Sequence, residues 1–246
     1  MRKVIVCRTK QPPSFGGPAR TMVADGRGRP TRIAVETSSR WPRTGVRLTV
    51  GFMDNPSVRL RERILAHLNA WSRSANVSFR EARSDPEVRI ARFDSPEDMA
   101  GYWSYLGTRI LAIDPDEPTM NLEGFTMRTP ESEFRRVVRH EAGHTLGFEH
   151  EHMRRELVAR IDRRKAVRYF RKSDGWTARE VREQVLTPLD DRSLMGTTVA
   201  DPASIMCYQI PGEITKDGQP IPGGMDISKR DRAFVATIYP KPKRRP

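Results

Sequence analysis

The sequence predicts an α+β fold, and three observations carry that prediction. Short segments that alternate apolar and polar residues, GVRLTVGF, NVSFRE and EVRIARF, fill the first half of the chain. Helical patterns interrupt them, and one runs into the stretch HEAGHTLGFEHE at residues 140–151, around which the rest is organised. Past that stretch, mainly helical and irregular segments replace the strands. A chain of 246 residues buries a sizeable core and fits one domain with two lobes better than two independent domains.

Taken in order, residues 1–40 are rich in Pro, Gly and Arg, with PPSFGGP and DGRGRP as breakers. They read as an N-terminal extension lying over the domain, with one short strand around 32–35. GVRLTVGF is a half-buried strand. Asn55-Pro56 then predicts a helix start, asparagine as N-cap and proline at the first position. Leu60, Ile64, Leu65, Leu68 and Trp71 form its apolar stripe, and His67 at the stripe's edge reads as a packing residue. NVSFRE and EVRIARF are strands separated by a Ser-Asp-Pro turn, and TMNLEGF is the last strand before the central helix. That helix begins at Thr129-Pro130, with Glu131 and Glu133 in its first turn to suit the dipole. Phe134, Val137, Val138 and Ala142 face its core side. Helices follow near 161–171 and 177–186. After the Pro/Gly-rich PGEITKDGQPIPGGMD a final helix spans about 228–238 with Ser228 as N-cap, and KPKRRP is a basic tail.

Composition narrows the function classes. Hydrophobic residues make up 37% and charged residues 30%, as in water-soluble globular chains, and no apolar run is long enough to span a membrane. The opening MRKVIVCRTKQPP has too short an apolar stretch for a secretory signal, which predicts a cytoplasmic location or export without a cleavable signal. Two cysteines cannot form a disulfide framework. A net charge of +13 favours acidic partners, yet most of the arginines are scattered among acids on helices. Zinc-finger spacing and RNA-binding motifs are absent, so nucleic acid is not expected as a partner.

The chemistry lies in residues 140–151. His140 and His144 are one helical turn apart and point the same way within about 40°. Two such imidazoles reach a single tetrahedral ion at roughly 2.0–2.1 Å. Gly147, lacking a Cβ, takes the left-handed conformation that ends the helix, and the returning chain brings His150 to the same ion from another side. Three neutral nitrogens leave a fourth position open, the pattern of one catalytic Zn2+ rather than a closed structural site. Glu141, beside the first ligand, is the candidate general base for the water at that position. Four of the five histidines lie between 140 and 152. HExxHxxGxxH is the metzincin pattern, and Ser204-Ile205-Met206-Cys207-Tyr208 supplies a candidate for its distant Met-turn.

HExxHxxGFxHE together with SxMxY resembles the astacin family of zinc metallopeptidases, its bacterial members above all, over about residues 41–239. The resemblance implies a metzincin-type two-lobed zincin fold: a mixed twisted sheet and an active-site helix above a mainly helical or irregular lower lobe. It divides the chain into an extension at 1–40, a catalytic domain at 41–240 (lobes 41–150 and 151–240) and a tail at 241–246. It further implies a zinc endopeptidase acting on peptides or proteins, with His140, His144 and His150 as ligands and Glu141 as base. Met206 becomes the apolar floor beneath the imidazoles, and Tyr208 the phenol that approaches zinc and then stabilises the oxyanion. GYWSYLGTRI resembles the family's edge-strand region, whose free backbone groups pair with extended substrate. Glu151 matches the glutamate that receives the N-terminus of processed members. Here it is expected to pair with Arg154 or Arg155, and His152 reads as an exposed loop residue in preference to a group that supports the zinc ligands from behind. Cys207 stands where the family commonly has histidine.

The two cysteines differ in expectation. Cys207 is a buried filler. Cys7 sits in an arginine-flanked segment that favours thiolate, and a thiolate that filled the fourth zinc position would make it a latch. The competing arrangement is a Cys7–Cys207 disulfide. Two readings stand beside an active endopeptidase: a protease held latent by its N-terminal segment, and a basic binding protein for nucleic acid or anionic surfaces with a non-catalytic zinc.

Overall fold

Val46, Leu48 and Val50 turn inward from β3 (Val46–Phe52) while Arg47 faces solvent, the alternation that VRLTV predicts. The structure, a computed structural model, describes residues 7–10, 35–93, 101–190, 194–195 and 199–242. β3 lies between β5 and the edge strand β4 in a six-stranded sheet of order β1-β6-β7-β5-β3-β4, built with β4 (Val77–Glu81), β5 (Val88–Ala91), β6 (Tyr102–Tyr105), β7 (Met120–Leu122) and β1 (Cys7–Lys10). β4, β3, β5 and β7 run parallel, and β6 turns antiparallel to β7. β1 lies on the outer side of β6, parallel to it, with Cys7 opposite Tyr102 and Lys10 opposite Tyr105. The edge expected to be free for substrate therefore carries the chain's own N-terminal strand.

Helix α1 (Val58–Leu68) packs Leu60, Ile64 and Leu68 onto the sheet, and His67 is buried against Phe134 as a packing residue. Its start corrects the expected N-cap. Asn55 takes a left-handed φ of 47°, a conformation asparagine tolerates, so the chain turns there and the helix begins after Ser57.

The central helix runs as α2 (Glu131–Glu133), a π turn (Phe134–Val138) and α3 (Arg139–Thr145). Phe134, Val137, Val138 and Ala142 are fully buried, as their spacing predicts. Three long-range hydrogen bonds fix its height: Trp71 Nε1–H donates to the Arg139 carbonyl (2.9 Å), Trp41 Nε1–H to Thr145 (2.8 Å) and the Tyr239 hydroxyl to Leu146 (2.7 Å). The helix ends as expected at Gly147, whose φ is 93°. Gly147 N–H returns to the His144 carbonyl (2.7 Å) and Phe148 N–H to Gly143 (3.0 Å), the Schellman pairing.

Beyond it lie α4 (Arg155–Arg160), α5 (Arg163–Asp174), α6 (Ala178–Val181) with a π turn (Arg182–Leu186), and α7 (Lys229–Ile238). Ala166, Phe170, Trp176, Val181 and Val185 form a second core there. α7, capped by Ser228 as expected, instead sends Phe234, Val235 and Ile238 into the first core. The short β2 (Val35–Glu36) pairs antiparallel with β8 (Leu194–Met195). Most of the extension expected at 1–40, including residues 32–34 of its strand, lies outside the described residues, as do 243–246 of the tail. Among the described residues, no helix is long and apolar enough to cross a membrane.

Candidate active site

One face of α3 carries His140 and His144, and the Schellman turn returns the chain so that His150 completes the group. Their ligand atoms all lie within 4.8 Å of one another, and the Nε2 atoms of His144 and His150 are 3.0 Å apart. Neighbouring rings stand nearly perpendicular: 86° between His140 and His144, 90° between His144 and His150. Two backbone carbonyls set the orientation. His140 Nδ1 is 2.7 Å from the Ile205 oxygen and His144 Nδ1 is 2.7 Å from that of Phe148, so each Nδ1 carries its hydrogen and each Nε2 a lone pair. Burial keeps the rings neutral, pushing His144 down to about 4 and His140 and His150 well below the ordinary imidazole value. The buried Nε2 of His140 has no hydrogen-bond partner. Three neutral nitrogens converging on one point, two oriented by carbonyls and one otherwise unsatisfied, fit a zinc ion.

Glu141 is fully buried on the same helix. Its Oε2 accepts a hydrogen bond from Ser104 Oγ on β6 (2.9 Å), while Oε1 has no partner. Burial raises its pKa to about 7, opposed by hydrogen bonds from Cys7 and Ser104 and by the charge of Arg136. Sequence reasoning missed Ser104, because nothing local marks a serine on one strand as the partner of a glutamate 37 residues later.

The Met-turn lies beneath. Met206 is fully buried, and Gly143 makes room for it: a Cβ there would stand 2.4 Å from the Met206 sulfur. Tyr208, also buried, has its ring 4.5 Å from that of His150 and 6.3 Å from that of His140. His152 departs from its expected exposure. It is fully buried and stacked on Tyr208 at 3.9 Å, because the turn after His150 folds inward under the lower lobe. Burial pushes its pKa down to about 3. Glu151 is buried, its Oε1 accepting from the Asp201 backbone N–H at 2.9 Å.

Cys7 is buried at the end of β1 and groups with His140 and Glu141, their ligand atoms all within 4.8 Å. The thiolate expected from its arginine neighbours is not favoured in these surroundings: burial and the Glu141 carboxylate push its pKa well above the ordinary thiol value. Cys207 is buried as expected, and both cysteines are free, which corrects the disulfide alternative.

No protein-family profile matches the chain. Against solved structures it is 31% identical to a structure of myroilysin, covering 85% of this chain and 100% of that one with a TM-score of 0.78. A crystal structure of myroilysin gives 30% identity over 84% of this chain and 88% of that one, with a TM-score of 0.62. High choriolytic enzyme 1, a hatching-enzyme zinc-protease from the medaka fish Oryzias latipes, shares the fold at 18% identity and a TM-score of 0.54 over 85% of this chain and 98% of that one. Zinc metalloproteinase nas-27 of Caenorhabditis elegans is 32% identical over 97 residues, which is 39% of this chain and 19% of that protein's length. A chain-long likeness of this kind, on a fold that gathers three neutral histidines over a buried methionine, places the chain in the astacin family of zinc metallopeptidases.

Proposed function

We propose that this zinc endopeptidase hydrolyses peptide bonds with Glu141 as the proton carrier and Tyr208 as the oxyanion donor. The position of Glu141 carries the reading: a buried carboxylate next to the first zinc-binding histidine, anchored through Oε2 by Ser104 and unpartnered at Oε1. Zinc held by His140, His144 and His150 supplies Lewis acidity, which acidifies a water and polarises a carbonyl. Glu141 accepts the proton that water loses as its oxygen bonds to the scissile carbon. The same carboxylate then delivers that proton to the amide nitrogen as the C–N bond breaks. The Tyr208 hydroxyl donates to the carbonyl oxygen as it gains negative charge. Replacing Glu141 with Gln tests the assignment: zinc stays bound through the three histidines while turnover falls by about 10²–10⁴. Wild-type turnover in that variant would remove Glu141 from the role.

A second reading concerns regulation, and the place of Cys7 favours it: the full chain is latent. Cys7 lies against Glu141 and His140, where its sulfur competes with the water Glu141 must deprotonate. β1 also pairs with the outer edge of β6, so an extended substrate cannot add there until that strand leaves. Cys7→Ala, or removal of residues 1–10, is expected to raise activity several-fold under reducing conditions. Unchanged activity in both would make the N-terminal strand purely structural. We further infer a preference for acidic substrates, supported by the net charge of +13 and by Arg136 one helical turn before His140.

A further inference from the structure

We propose that His152 is a positioning residue that holds the Tyr208 ring beside the zinc-binding histidines, an inference that rests on the oxyanion role proposed for Tyr208. The His152 ring lies 3.9 Å from that of Tyr208 with 18° between the planes, and neither side chain is more than 2% exposed. Tyr208 also meets His150, 4.5 Å away at 61°. The third zinc-binding histidine and the histidine two residues further along also neighbour each other, 5.0 Å apart, so the two imidazoles and the phenol form one cluster.

His152 is itself held from the lower lobe. Its Nε2 is 2.9 Å from the Gln184 carbonyl oxygen, in the π turn Arg182–Leu186. That carbonyl is only an acceptor, so Nε2 carries the hydrogen and the ring plane is fixed by backbone 32 residues away. Histidine meets both demands at once. Phenylalanine would stack without the donor, glutamine would donate without the flat face, and a small residue would leave Tyr208 free to turn out of line. The lower lobe therefore sets the orientation of a side chain that reaches the reacting carbonyl, by way of one stacked ring.

A double-mutant cycle tests this in the full chain carrying Cys7→Ala, which removes the thiol from the site whether or not it acts as a latch. Tyr208→Phe and His152→Ala are each expected to lower kcat about tenfold with KM changed less than about twofold and zinc content unchanged. The double variant is expected to be no slower than Tyr208→Phe alone, because His152 acts only through the hydroxyl already lost. His152→Phe should recover most of the loss and His152→Gln little of it, and these two decide the matter if His152→Ala does not fold. In crystals of metal-free His152→Ala protein, the Tyr208 ring should leave its present position. Multiplying losses in the double variant, a change in KM instead of kcat, or an unmoved ring would overturn the inference. Wild-type kcat in Tyr208→Phe would instead remove the oxyanion role, and this inference with it.

Discussion

Gly143 and Met206 are interlocked: a single added carbon on the helix would stand 2.4 Å from the methionine sulfur and 3.4 Å from the Trp71 ring. The glycine of HEAGH is therefore a packing requirement of the floor beneath the histidines, set by close approach and not by backbone conformation.

Gly143→Ala should destabilise the protein even though alanine is the better helix former by about 1 kcal/mol. Overpacking of this kind costs about 1–3 kcal/mol, and the fully buried Met206 has little room to retreat. Thermal unfolding is expected at a lower temperature, with weaker zinc retention on dialysis. In a Met206→Ala background the same substitution should be neutral or stabilising. Equal destabilisation in both backgrounds would show that Met206 is not what the extra carbon meets.

Ser104→Ala removes the hydroxyl that anchors Glu141 Oε2 at 2.9 Å. A hydrogen bond to a charged group contributes roughly 1.5–3 kcal/mol, and a freed carboxylate spends less time aligned on the attacking water. The expected result is a kcat lower by about tenfold with zinc content unchanged. Steady-state kinetics showing the wild-type kcat would mean that the helix alone positions Glu141.

The zinc site was legible because its residues are close in sequence. His140, His144, Gly147 and His150 are related by helical period and one turn, so spacing alone specifies their geometry. The strands around Val46–Phe52 and Val88–Ala91 were legible for the same reason, since alternation is a local signal. What spacing could not reveal depends on distant partners. Trp41 reaches the helix end across 104 residues and Tyr239 across 93, and neither leaves a local trace. His152 reads as a loop residue until the segment at Arg182–Leu186 is folded over it. The Asn55 N-cap failed because asparagine is equally suited to a cap and to a left-handed turn, and the turn prevailed.

Arg136 offers a direct test of the acidic preference. It lies four residues before His140, hence on the same face of the central helix one turn earlier, and it is only 7% exposed. Its positive charge acts on Cys7, on Glu141 and on Tyr102 of β6, with the Glu133 carboxylate acting against it on Cys7 and Tyr102, which places the guanidinium field near the junction of the helix, β6 and β1. An extended substrate replacing β1 on β6 would bring a side chain into that field. A carboxylate there gains a charge-assisted hydrogen bond or ion pair in a largely dry setting, where guanidinium and carboxylate match in geometry. Arg136→Gln should therefore lower kcat/KM for peptides with Asp or Glu beside the scissile bond by about 10–100-fold, in line with the loss of roughly 1.5–3 kcal/mol. Neutral peptides should change by less than about threefold, since they never used the charge. Cleavage profiling of the Cys7→Ala chain supplies the comparison. Loss of acidic enrichment in Arg136→Gln supports the assignment, whereas equal losses on acidic and neutral peptides would make Arg136 a structural residue of the helix.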